Sequence, residues 1–354
     1  MMVLFLIMCL CLMMLIFYIL YTFCMRCFSH AHKKAIFLIC ATIISLLMIL
    51  RFSFHFYQIT NTFLFDGILY LCTYFFLGVI FLFITSLIER LYIHFHKRFA
   101  YKTSFIIALI LAIITGSYGI YQGKTISIKE YIQMIPALQK DVDFLAVSDL
   151  HISTSVKQPE LKALFDIAKE KHVDAILIGG DLFDESTRVQ DMEALYQLVK
   201  TYQIPIYYIE GNHEQLSSKK AFFLNQMKES GVILLQDLSV VFDQQLIITG
   251  RNDKKVGRKP LSQIIPQTTL PVLLMDHRPL TDEEHLVDIQ FSGHTHNGQI
   301  FPNNLFTSIA FPHIYGRYSS PYPMIVSSGY GTWGFPMRIG SQSEVVLLHL
   351  KTQK

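Results

Sequence analysis

Charge is missing from four long stretches at the start of this chain. Met1–Met25, Ala35–Leu50, Gly67–Ile88 and Thr103–Gly123 contain no Asp, Glu, Lys or Arg. A helix needs roughly 20 apolar residues to cross the hydrocarbon core of a bilayer. A soluble helix of that length would keep a polar face for water, which these runs do not offer. We read them as four transmembrane helices forming a membrane domain over residues 1–123. The second is short, with 16 residues between Lys34 and Arg51, and both flanking side chains can snorkel to the interface. The first lacks a basic leader and is longer than a signal-peptide core, so it is expected to remain as an anchor, and it contains no twin-arginine pair.

Lysine and arginine in the short loops set the orientation. Arg26, Lys33 and Lys34 follow the first run, and Arg90, Lys97, Arg98 and Lys102 follow the third. The opposite side carries Arg51, Lys124 and Lys129. The richer loops are expected in the cytoplasm, which makes this a multi-pass cell-membrane protein with residues 124–354 extracytoplasmic. All six cysteines lie at or before Cys72, so the second half has no disulfide framework and no thiolate metal site. The net charge of +3 gathers beside the membrane, where anionic lipid accounts for it. There is no aromatic-interleaved basic stripe of the kind that binds single-stranded nucleic acid. The sequence is silent on oligomeric state.

After Lys124 the periodicity changes. Apolar runs in "DFLAVSDLH", "DAILIGGD" and "IPIYYIEGNHE" alternate with segments in which Leu161, Leu164, Phe165 and Ala168, then Met192, Leu195, Tyr196 and Val199, repeat at helical spacing. Strand, helix, strand, helix, strand is the pattern of a parallel α/β sheet. Further strands are expected at Leu246–Thr249, Pro271–Met275, Ile289–Ser292, Met324–Ser328 and Glu344–Leu348. The Pro-, Ser- and aromatic-rich stretch Pro302–Pro323 reads as a long surface loop over the site, with an aromatic loop lying on the membrane as the alternative.

Polar clusters close five of the apolar runs: Asp149 with His151, Asp181, Asn212 with His213, His277, and His294 with His296. In open α/β sheets ligands bind beyond the carboxyl ends of strands, so clusters far apart in sequence converge there. Spacing alone would not single out His294 and His296. Fourteen histidines in 354 residues give about half a His-x-His pair by chance. Two further pairs, His30 with His32 and His94 with His96, sit beside membrane runs. Position after a strand, repeated five times, separates the last pair from the others. Carboxylate, amide and imidazole donors without thiolate suit Mn, Fe or Zn, and seven donors suit two ions rather than one. Singly, Asp149, Asp181 and Asn212 could be turn residues. Asp184 reads as a helix cap, with support of the site as the alternative, His172 and His285 as surface histidines, and Arg278, Arg317 and Arg338 as surface arginines, with contact to a substrate phosphate as the alternative.

"SDLH", "GGDLFDE", "EGNHE", His277 in "LLMDHRP" and "SGHTHNGQ" occur in the order found in calcineurin-like metallophosphoesterases, which the chain resembles from about Asp143 to His349. "GHTHNGQ" and "SSGYGTWGFPMRIG" are similar to membrane-associated bacterial members. Asn297 stands where a glycine is common. The resemblance implies two packed mixed sheets flanked by helices, and hydrolysis of a phosphoester or pyrophosphate by metal-activated water. It also implies Asp149, His151 and His296 on one metal, Asn212, His277 and His294 on the other, and Asp181 between them. His213 would protonate the leaving oxygen, with Glu214 orienting its ring. The expected partners are a phosphorylated substrate, lipid-linked if the tether matters, and membrane lipids. The competing reading is a non-catalytic membrane binding or sensing module that keeps the fold.

Overall fold

The computed structural model describes residues 63–95, 101–281 and 286–352, with isolated positions before them. The spans expected at 1–25 and 35–50 lie outside the described residues. Two helices fall at the other two runs, α1 (Phe63–Phe95) and α2 (Tyr101–Lys124). Within them Gly67–Tyr92 and Thr103–Lys124 are long and apolar enough to cross a membrane. Many of their large apolar side chains, such as Leu87, Ile88, Ile110 and Ile114, are exposed, the reverse of a soluble helix. The hydroxyls these helices carry are satisfied locally. Thr73 and Thr85 donate to the carbonyls of Leu69 and Phe81 one turn back, both at 2.8 Å, as an apolar surrounding requires.

The chain divides into two compact units, residues 1–118 and 119–354. The second is an α/β domain built on two sheets. Its elements are β1 (Ile126–Met134), β2 (Val142–Val147), α3 (Gln158–Glu170), β3 (Ala175–Ile178), α4 (Val189–Tyr202), β4 (Ile206–Tyr208), α5 (Lys220–Glu229) and β5 (Ile233–Leu234). There follow β6 (Leu238–Phe242), β7 (Leu246–Gly250), β8 (Val272–Met275), β9 (Ile289–Ser292), α6 (Asn303–Ala310), β10 (Gly316–Tyr318), β11 (Met324–Val326) and β12 (Ser343–Lys351). One sheet runs β1-β12-β2-β3-β4-β5 and the other β10-β11-β9-β8-β7-β6. In the first, β2 to β5 are parallel and β12 returns antiparallel to β2. In the second, β7, β8, β9 and β11 are parallel, with antiparallel β6 and β10 at the edges.

The strand runs read as continuously apolar because both faces of each sheet are covered. Successive side chains alternate between faces. On β2, Leu145 and Val147 pack with Leu161, Leu164 and Phe165 of α3 and with Met192 and Leu195 of α4. Phe144 and Ala146 point the other way, into the layer between the sheets, against Leu273 and Met275 of β8 and Phe291 of β9. Leu274, Met324 and Val326 turn to the outer face of the second sheet, where Leu261, Ile264 and Tyr322 cover them. This sandwich fixes the strand ends, and therefore the loops that carry the polar clusters.

Two expectations change. The stretch from Pro302 to Pro323 is not a plain loop, since it holds α6 and the edge strand β10. Its helix is hidden in the sequence because it spans only eight residues, has no buried residue and so shows no core-facing stripe. Asp184 is no cap either. The residue before α4 is Arg188, and Asp184 lies in the turn after β3, where its carboxylate accepts from Ser186 N at 2.8 Å.

Candidate metal centre

Every polar cluster lies within five residues of a strand end: Asp149 and His151 after β2, Asp181 after β3, Asn212 and His213 after β4, His277 after β8, and His294 and His296 after β9. The loops reach one focus through uncommon backbone. Asp149, His151, Asp181, His294 and His296 all have positive φ, between 45° and 71°. Each such non-glycine residue costs about 1–3 kcal/mol, and clustering of that strain is characteristic of functional sites. Two glycines make the convergence possible. A Cβ on Gly293 would lie 2.4 Å from Asp149 Oδ2, and one on Gly211 would lie 2.3 Å from Asp181 Oδ1. Only bare backbone lets the end of β9 meet β2, and the β4 loop meet the β3 loop.

The donors form two adjacent groups, Asp149 with His151 and His296, and Asp181 with His277 and His294, the ligand-type atoms of each within 4.8 Å of one another. In the first group His296 Nε2 lies 3.3 Å from Asp149 Oδ1, and the His151 and His296 rings stack at 5.3 Å. Asp149 is fixed by Ser148 Oγ, which donates to Oδ2 at 2.6 Å, and by the backbone N–H of His294 at 3.0 Å. In the second group His277 Nε2 lies 3.1 Å from Asp181 Oδ2. Asn212 joins this group through Arg278, whose guanidinium donates to Asn212 Oδ1 at 3.3 Å and to His294 Nε2 at 3.2 Å. Asp253 anchors that guanidinium, accepting from Arg278 Nε at 2.6 Å. The cationic side chain thus collects two lone pairs of the kind a metal ion would use.

Hydrogen bonds behind the imidazoles decide which nitrogen faces the centre. His151 Nδ1 meets Asp184 Oδ2 at 3.2 Å and His277 Nδ1 meets the carbonyl of Gly179 at 2.9 Å. Both partners accept, so the ring proton sits on Nδ1 and the Nε2 lone pair points inward, the arrangement that second-shell groups impose on metal-binding histidines. Both Nε2 atoms are fully buried; His151 Nε2 has no hydrogen-bond partner, and His277 Nε2 faces the Asp181 carboxylate at 3.1 Å. A buried unpaired acceptor is costly, and this one beside buried carboxylates fits a cation. The residues present therefore fit divalent metal ions.

Electrostatics favour the ligating protonation state at Asp181, His294 and His296 and oppose it at His277 and Asp149. For His277 burial opposes a charge, but Asp181 outweighs it and lifts the imidazole to about 10. Burial pulls the other way on Asp181 too, and His277 holds that carboxyl well below the usual range. Burial pushes Asp149 up. His294 falls to about 3 through burial and the nearby positive charge of His277 and Arg278, and burial also drives His296 down. Anionic Asp181 and neutral His294 and His296 are the protonation states that ligation needs.

His213 stands beside both groups without belonging to either. Its N–H donates to Asp181 Oδ1 at 2.8 Å, its ring meets His151 edge-on at 5.0 Å, and Trp333 lies tilted against it at 5.4 Å. Glu214 does not orient that ring. Its fully buried carboxylate accepts from Leu182 N at 2.6 Å, Gly211 N at 2.8 Å and Tyr208 Oη at 2.9 Å, while His213 Nδ1 has no hydrogen-bond partner. Glu214 ties the β3 and β4 loops together and acts on the site through the backbone. Arg338 is not on the surface. It is fully buried, donating to the carbonyls of His296 (3.2 Å), Gly329 (3.1 Å) and Gly331 (2.6 Å), and so clamps the loops on one side of the centre. Arg317 is exposed and reaches Gln133 at 3.1 Å, and exposed His172 lies away from the cluster, in the turn after α3. His285 lies outside the described residues. Asp184 supports the site, the alternative its position allowed, and Asp253 gave no signal in the sequence.

A sandwich of two mixed sheets thus carries buried carboxylate, amide and imidazole donors at its strand ends, a set suited to divalent metal ions. Residues 142–298 match the calcineurin-like phosphoesterase family. The chain carries a calcineurin-like phosphoesterase domain over these residues, as its motifs imply. It is 27% identical over 269 residues to an uncharacterised metallophosphoesterase of Helicobacter pylori, covering 66% of each protein. It is 25% identical over 274 residues to a transmembrane protein with metallophosphoesterase domain from Danio rerio, covering 70% of this chain and 62% of that one. Both alignments thus span less than two thirds of the relative. Among solved structures, a dimetal phosphatase from Danio rerio is 11% identical, with a TM-score of 0.36 over 62% of this chain and all of that one.

Proposed function

We propose that this protein is a membrane-anchored hydrolase of phosphoester or pyrophosphate bonds that uses two divalent ions, drawn from Mn, Zn or Fe. The observation that carries the proposal is the pair of buried imidazoles His151 and His277, each fixed from behind at Nδ1 so that Nε2 is turned to the carboxylate cluster, His151 Nε2 without a partner and His277 Nε2 against Asp181. Asp149, His151 and His296 would hold one ion, and Asn212, His277 and His294 the other, with Asp181 between them. Ions held there would polarise a phosphoryl oxygen and lower the pKa of water to near neutrality. The remaining work belongs to the protein. Arg278, anchored by Asp253, offers donors to phosphate oxygens beside Asn212. His213, its Nδ1 uncommitted, is placed to give a proton to the leaving oxygen. Burial holds its pKa below the ordinary value, so the charged ring that gives the proton is populated on the acid side of neutrality.

The domain is proposed to lie outside the cytoplasm, from the Lys and Arg asymmetry of the loops, and tethering favours a lipid-linked substrate. Protease accessibility of the C-terminal domain in sealed cells tests the first point. For the activity, full-length protein in detergent is assayed for bound metal and for turnover of bis(para-nitrophenyl) phosphate beside Asp181→Ala and His213→Ala. Turnover lost in both variants supports the proposal. Tightly bound metal without turnover in the unaltered protein would make the domain a binding or sensing module instead.

A further inference from the structure

The helix α6 turns its apolar side the wrong way for a soluble surface. Leu305, Phe306 and Ile309 are 56%, 66% and 83% exposed, and no residue of the helix is buried. Spacings of three and four residues put Ile309 on one face with Phe306 and Leu305. Phe301, which precedes the helix, is 58% exposed, and Trp333 on the neighbouring loop 54%. These pieces form one rigid rim. Gln299 accepts from Trp333 N at 2.8 Å and donates to its carbonyl at 2.9 Å, and Phe301 N donates to the carbonyl of Ile339 at 2.7 Å. A contiguous exposed apolar surface of this kind marks an interaction site.

Its neighbour indicates the partner. The segment that holds Phe301 also receives the end of α2. Arg338 N donates to the carbonyl of Gly119 at 2.8 Å, and a Cβ on Gly119 would lie 3.2 Å from Met337 and from Ile339. The last turn of α2, from Gly119 on, thus belongs to the same unit as the rim and packs on the strip of chain from which the rim is hung, with Tyr121 65% exposed. Tyrosine and tryptophan favour the headgroup level, and an amphipathic helix can lie in that plane with its apolar face about 5–10 Å deep.

We propose that α6, Phe301 and Trp333 form a lipid-docking element that beds into the membrane surface beside the end of α2. The rim also borders the metal centre, since Trp333 touches the ring of His213 and Phe311, at the end of α6, lies 5.1 Å from His294. Docking opens the centre toward the headgroup layer. If the phosphoesterase reading holds, phosphates at that depth are the substrate class within its reach.

Trp333 is the only tryptophan in the chain, which makes the full-length protein its own reporter. The protein is placed, one copy per disc, in phosphatidylcholine nanodiscs with ordinary or brominated acyl chains, and its emission is recorded. Docking gives a blue-shifted emission that brominated chains largely quench. In the doubly substituted Leu305→Asp, Ile309→Asp protein the emission moves to longer wavelength and quenching is mostly lost, with the melting temperature retained because neither side chain is packed. Equal wild-type emission in the two kinds of disc would overturn the proposal. So would a dimer in detergent that the double variant dissolves, since the face would then belong to a second copy. No turnover is read, so failure here leaves the phosphoesterase proposal standing, and failure of that proposal leaves the docking result unaffected.

Discussion

Replacing Asp184 by Asn tests whether a hydrogen bond behind the centre sets metal affinity. The carboxylate works from both ends: Oδ2 faces His151 Nδ1 at 3.2 Å, and Oδ1 accepts from Ser186 N at 2.8 Å and Ser186 Oγ at 2.6 Å. In Asp184→Asn the amide oxygen stays on the Ser186 side, because turning it would break two hydrogen bonds worth about 1 kcal/mol each. The NH2 group then faces His151 Nδ1, which has to accept. The ring proton moves to Nε2, and the lone pair aimed at the Asp149 and His296 group disappears. Restoring the productive tautomer costs roughly 1–3 kcal/mol, so affinity for that ion should fall about 10–100-fold. Calorimetric titration of Mn or Zn into chelator-stripped full-length protein reads this directly, with turnover measured alongside. The stripped variant should melt close to the stripped parent, which separates a ligand defect from a folding defect. Unchanged affinity in a folded variant would refute the reasoning, for then either His151 is not a ligand or Asp184 does not control its tautomer.

Other expectations follow from neighbouring contacts. His213→Ala should lower turnover by about 10²–10⁴-fold with metal content unchanged, as measured by elemental analysis beside steady-state kinetics. Gly293→Ala puts a methyl group 2.4 Å from Asp149 Oδ2. It should therefore abolish metal binding more completely than it lowers the melting temperature. Chelation should remove activity and, for ions present at 100 times their dissociation constant, about 2.7 kcal/mol of stability, seen as a lower melting temperature that added metal restores. Arg338→Met keeps the length of the stem but removes donors from three buried carbonyls, and should destabilise the domain by about 3 kcal/mol or more in thermal unfolding.

The apolar runs near the start and the strand-helix alternation after Lys124 are local properties of the chain. A helix without charge for more than twenty residues and a strand apolar on both faces each state their surroundings in their own composition, and both α2 and β2 lie where the periodicity puts them. The ligand-type residues were legible for a related reason, since each follows an apolar run and the topology of a parallel sheet delivers such positions to one end. Short edge elements were not legible. β10 and α6 gain their form from neighbours, through pairing with β11 and through the packing of Gly298 against Asn304, and they carry no buried stripe of their own.

The supporting shell was hidden for a different reason. That Asp184 meets His151 across 33 positions, that Glu214 serves three loop groups rather than the neighbouring ring, and that Arg338 is buried under the site all depend on contacts between loops remote in sequence. A sequence fixes which groups can ligate an ion, because donor chemistry belongs to the side chain. Which nitrogen of each imidazole turns inward depends on what stands behind the ring, and the sandwich decides that by bringing the five strand ends together.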